Sequence, residues 1–147
     1  MINIFERQEA VTVDIAAVES WCAKMLALLG YADFDVSITL CDAEFIRDLN
    51  GRYRNKNEPT DILSFPMFAD LKPGEKPVID EGTPKDLGDL IIFPVQVLED
   101  ANTLAVPFEK RMKKLLAHGL CHLLGYTHYT DAEHKLMAPL EEQLMDV

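Results

Sequence analysis

Phe34-Asp35-Val36-Ser37-Ile38-Thr39-Leu40 alternates apolar and polar side chains. That is the period of a strand with one buried face. Upstream, Ile15, Val18, Trp21, Cys22, Met25, Leu26 and Leu29 recur at spacings of three and four. This predicts an amphipathic helix over 14–29, ended by Gly30. Ile2 to Phe5 is β-prone and predicts a first strand. Downstream, Asp42 is the expected N-cap of a second helix, with Phe45, Ile46, Leu49 and Tyr53 as its apolar stripe. That helix should give out between Gly51 and Asn55. A polar loop, Arg54 to Thr60, then leads into a strand at Asp61-Ile62-Leu63-Ser64-Phe65, stopped by Pro66.

Asp70 to Lys85 holds Pro73, Gly74, Pro77, Gly82 and Pro84. It is expected to be a mobile loop. Leu87 to Phe93 predicts another strand, and Pro94 opens a helix to Leu104. Phe108 to Leu124 is a strong helix that begins with the cationic run Lys110 to Lys114 and is followed by Gly125. Thr130-Asp131-Ala132-Glu133 has capping-box form, and Pro139 should kink or interrupt the last helix. The order implies an α+β domain over residues 1–147, with a mixed sheet of about four strands packed with helices.

The chain has 147 residues, 48% hydrophobic, which suits one folded domain and excludes disorder as the main state. Lys and Arg number 14 against 25 Asp and Glu, a net charge of −11. That balance disfavours non-specific binding to a phosphate backbone, and no binding to DNA is expected. Cys22, Cys41 and Cys121 are scattered with no CxxC, the pattern of buried thiols in a reducing compartment. Neither a signal-peptide pattern nor a membrane-length apolar run is present, so no membrane association and a cytoplasmic location are expected.

The chemistry concentrates in His118-Gly119-Leu120-Cys121-His122-Leu123-Leu124-Gly125-Tyr126-Thr127-His128, which holds three of the four histidines. His118 and His122 are four apart on one helix face. Gly125 permits the turn that brings His128 back to them. Three histidines and one open position describe a catalytic Zn²⁺ site, placed in a cleft at the end of the long helix. Cys121 points off the ligand face, as a small buried thiol. His134 reads as a surface residue. The spacing equals that of metzincin proteases, but Gly119 stands where those enzymes carry their glutamate base. Glycine moves no proton, which argues against a peptidase. Imidazole ligands would also accept Ni, Cu or Fe.

Arg52-Tyr53-Arg54-Asn55-Lys56-Asn57 is a compact cationic patch in an acidic chain. Its residue types serve equally as a phosphodiester clamp or as a solvated basic loop. The run Lys110 to Lys114 reads as a solvated helix face or as positive charge near the mouth of the site that attracts an anionic strand.

Three blocks in order, Asn50 to Pro66, Leu87 to Ile92 and His118 to His128, resemble the signatures of the YbeY endoribonucleases, the rRNA maturation factors. Glu133, Met137 and Glu141 fit the family's tail loosely. The resemblance implies a metal-dependent, single-strand-specific RNA endonuclease acting in 16S rRNA maturation and ribosome quality control. Its implied partners are precursor rRNA and the small ribosomal subunit with its proteins. It implies one Zn²⁺ per chain on His118, His122 and His128, and a functional arginine at Arg54. Arg52 and Lys56 would bind the adjacent backbone. Thr127 departs from the family's usual aspartate, and Cys121 from a common leucine. Two other readings stand beside this one: a ribosome-assembly factor with a structural metal, which the net charge favours, and a metallopeptidase.

Overall fold

A computed structural model describes residues 1–147. The chain runs β1 (Ile2–Glu6), α1 (Ile15–Leu29), β2 (Asp35–Leu40), α2 (Ala43–Arg54), β3 (Ile62–Pro66), β4 (Asp86–Ile92), α3 (Pro94–Leu104), α4 (Phe108–Leu123) and α5 (Asp131–Leu144). The strands form one sheet in the order β1-β2-β4-β3. β1, β2 and β4 are parallel, and edge strand β3 is antiparallel to β4. This is the expected mixed α+β sheet of four strands.

The alternation in β2 has its physical outcome. Val36, Ile38 and Leu40 are fully buried in the large core, with Leu90 and Ile92 of β4 and with Met25, Leu26, Leu116 and Leu120 of α1 and α4. The opposite face of β4 and β3 offers Ile91 and Leu63 to a smaller cluster around Ile46 of α2. Helices therefore cover both faces.

β4 carries an irregularity that its sequence does not advertise. Asp35 pairs with Asp86 but Ser37 pairs with Asp89, so β4 holds one extra residue there. Gly88 sits in that bulge with φ +122°, and a Cβ on it would lie 2.1 Å from the Phe65 carbonyl oxygen. The extra residue resets the alternation. Leu87 and Leu90 thereby both reach the large core.

The two caps read from the sequence form, and Asp14 supplies a third. Asp14 accepts from Ala17 N–H, Asp42 from Phe45 N–H and Thr130 from Glu133 N–H. One expectation is corrected. α5 runs unbroken through Pro139. Pro139 and Lys135 are both exposed, so water can satisfy the Lys135 carbonyl that the proline leaves without a donor. The segment 70–85 is an irregular loop, as expected, and touches the rest of the molecule at several points. Lys76 reaches the Leu29 carbonyl and lies 4.1 Å from the Tyr31 ring centroid, while Leu71 and Ile79 pack on the core.

Candidate metal centre

α4 presents His118 and His122 in its last turns because its other faces are committed. Met112, Leu116, Leu120 and Leu123 enter the core. Gly119 is also buried. A Cβ there would meet the side chains of Leu90 and Ile62 at 2.8 and 2.9 Å. The glycine lets α4 rest directly on β4 and β3, and this position faces the sheet. Cys121 is fully buried in the same core, as expected of a structural thiol.

The helix ends in a Schellman motif. Gly125 N–H bonds the His122 carbonyl and Tyr126 N–H bonds the Cys121 carbonyl, both at 3.1 Å. Gly125 has φ +92°, and the Leu71 carbonyl passes so close that a Cβ would lie 2.1 Å from its oxygen. No other residue fits that turn without strain. The chain then doubles back, and the His128 ring stands 5.1 Å from that of His118 and 5.2 Å from that of His122. One ligating atom from each histidine lies within 4.8 Å of the others.

The nitrogen inventory fits a metal. His118 Nδ1–H donates to the Glu141 carboxylate at 2.6 Å, and His122 Nδ1–H donates to the Tyr126 carbonyl at 2.8 Å. In the neutral ring each bond selects the tautomer that leaves Nε2 with its lone pair. Those two Nε2 atoms face each other at 2.9 Å. Zinc-bound imidazoles, with Zn–N near 2.0–2.1 Å, hold their nitrogens roughly 3.3 Å apart. At 2.9 Å the two nitrogens can share a proton, and when both are deprotonated they converge as ligands for one cation. Burial and then the charge of His118 push His122 down to about 4, so its ring is neutral at pH 7, the form that binds metal. Burial pushes the Glu141 carboxyl up. The hydrogen bond and charge of His118, with Lys114 nearby, outweigh burial and hold it below the usual range.

Glu141 is the contributor that sequence reading left without a role. It lies 23 residues from His118, and only the packing of α5 on α4 brings it in. Thr127 is the second. Its hydroxyl donates to Glu133, which also accepts from Thr130 Oγ1 at 3.0 Å, so the loop carrying His128 is pinned to the first turn of α5. His134 is exposed, as expected.

The cationic patch is placed differently from its reading as a loop. Arg52, Tyr53 and Arg54 form the last turn of α2, where positive charge complements the helix dipole. Only Asn55 to Asn57 lie beyond it. Arg52 pairs with Asp48 at 2.8 Å, and Asn50 ties the following turn down through the Glu58 carbonyl. Arg54 and Lys56 are exposed. No hydrogen bond or ion pair joins either to the histidines. In the run Lys110 to Lys114, Arg111 lies between Asp61 at 3.6 Å and Asp100 at 3.9 Å. Lys113 covers Trp21. A cavity of about 690 Å³ lies at the carboxyl ends of β1 and β2, lined by Arg7, Cys41 and Asp42 among others, and a smaller one of about 170 Å³ is lined by Tyr31 and Leu140. The histidines line neither, so the expected cleft is not one of these two cavities.

Two histidines on a helix seated against a mixed sheet, joined by a third from the loop that follows it, form a cluster that could hold a metal ion. The sequence comparisons then become specific. Residues 3–147 match the model of the family described as Endoribonuclease YbeY, and the chain belongs to that family. Among its relatives is an Endoribonuclease YbeY of Bacillus cytotoxicus, 33% identical over 147 residues, spanning 99% of this chain and 94% of that one. Another, from Bacillus cereus, is 38% identical over 112 residues, 76% of this chain and 71% of that one. The solution structure of TM1509 from Thermotoga maritima shares the fold with a TM-score of 0.65 at 23% identity, covering 99% of this chain and 87% of that chain. Membership places the chain among endoribonucleases, hydrolases that act on RNA. No helix is long and apolar enough to cross a membrane.

Proposed function

We propose that residues 1–147 form a single zinc-dependent, single-strand-specific endoribonuclease domain that acts on precursor rRNA. The observation that carries the reading is the convergence of His118, His122 and His128, with the Nδ1 atoms of the first two occupied and their Nε2 atoms facing inward. These three side chains would hold one Zn²⁺. When bound, the ion polarises a phosphate oxygen and lowers the pKa of water toward ~7. Glu141 and the Tyr126 carbonyl keep the two helix-borne rings turned to that task. Arg54 grips the scissile phosphate, and Arg52 and Lys56 bind the neighbouring backbone, the geometry for which guanidinium groups are suited. Exposure of Arg54 and Lys56 leaves both free to take up a strand.

Family membership supports a role in 16S rRNA maturation and ribosome quality control in the cytoplasm, with the small subunit and its proteins as partners. The net charge of −11 suits docking on basic ribosomal proteins. Gly119, buried against the sheet, speaks against a peptidase.

The test is cleavage of a single-stranded RNA and its duplex by zinc-loaded protein. Cutting of the single strand alone, abolished by chelation, is expected. Arg54→Ala should lower cleavage with zinc content unchanged. An inactive zinc-loaded protein that still binds ribosomal subunits would favour the assembly factor.

A further inference from the structure

Tyr129 directly follows the third histidine, and it is 85% exposed. Nearby Tyr126 behaves differently, packing half-buried against the core. Tyr129 has no part in either core cluster. Its ring lies 5.9 Å from that of His128 at 37°, so the two rings form a step leading from the histidine cluster into solvent. The backbone beneath it is held on both sides. Before it stands the Gly125 turn and the bond from Thr127 to Glu133, and after it the Thr130 cap of α5. An aromatic ring presented from a backbone anchored on either side is a preorganised surface. Asp131 and Glu133 follow closely, so this spot repels a phosphate and suits the uncharged face of a base.

We infer that Tyr129 is a stacking platform for one unpaired base of the RNA strand, next to the phosphate presented to the histidine cluster. The inference rests on the endoribonuclease reading and deepens it. Base–aromatic stacking needs a base out of its helix, so Tyr129 contributes to the preference for single strands. It acts by binding, and its loss is read in KM.

The experiment compares wild type, Tyr129→Ala and Tyr129→Phe on a short single-stranded RNA carrying 2-aminopurine at successive positions. Zinc content, KM, kcat and fluorescence are measured for each. Tyr129→Ala is expected to raise KM roughly tenfold, the size of one lost stacking contact, with kcat much less affected. One 2-aminopurine position quenched by wild type should lose that quenching in Tyr129→Ala and keep it in Tyr129→Phe. Zinc content should be equal in all three. Unchanged KM and quenching in Tyr129→Ala would overturn the inference while leaving the nuclease intact. Loss of zinc in Tyr129→Ala would overturn it too, by showing that the ring supports the His128 loop. Quenching by a wild type that never cuts RNA would sustain the platform and refute the nuclease.

Discussion

His118 and His122 owe their usable tautomers to partners of different origin. The Tyr126 carbonyl is supplied by the same turn that ends α4, only four residues away. Glu141 comes from another helix. The first kind of partner follows from a legible motif, since a helix stopped by Gly125 must fold back over its own last turn. The second has no local signal: a glutamate 23 residues on looks like any other acid of an acidic chain. Carboxylates that orient a ligating imidazole typically contribute 10–100-fold in metal affinity. Glu141→Gln should therefore weaken zinc binding by about that factor, measured by competition with a chromophoric chelator. Unchanged affinity would reduce Glu141 to an incidental contact. Thr127 teaches a related lesson. Its partner is Glu133, so a carboxylate at 127 would face another carboxylate in this chain.

At the scale of elements, the readable features were those decided within a few residues. Alternation marked β2, and Asp42 and Thr130 marked two helix starts. The features that stayed hidden depend on contacts between elements. Leu87 to Phe93 reads as an uninterrupted strand, yet Gly88 bulges because the Phe65 carbonyl occupies the space of a side chain. Arg54 reads as the first residue of the polar loop, with the helix giving out between Gly51 and Asn55. Asn50 instead holds the turn against the helix through its backbone carbonyl and its side chain, and α2 continues to Arg54. Gly119 gives the element-scale prediction. Glu at this position would restore the metzincin sequence, but it would drive a carboxylate between α4 and the side chains of Leu90 and Ile62. Gly119→Glu should cost at least about 3 kcal/mol in denaturant unfolding. It should gain no activity on unstructured protein. A stable variant that cuts protein would refute the placement of this residue against the sheet.

For the whole molecule, the large core and the smaller cluster between them hide every thiol. Cys22, Cys41 and Cys121 are fully buried. Burial pushes each up to about 12, so all three are protonated and unreactive at pH 7. A thiol reagent should titrate no cysteine in the native protein and three after denaturation. Rapid reaction of Cys121 in native protein would place it at the surface beside the histidines, where it would compete as a fourth ligand. The same core sets the division of labour in the proposal. α4 and the turn after it gather the three histidines, while α2, on the other face of the sheet, carries Arg52 and Arg54. Only bound RNA would join the two.

The most direct measurement is metal content per chain in wild type and His122→Ala, purified without added metal or chelator. The geometry predicts about one zinc per wild-type chain, as one three-histidine site allows, and little in the variant, with both proteins folded. Equal metal in the two, or a wild type that cannot be loaded, would contradict the three-histidine centre on which the proposed nuclease rests.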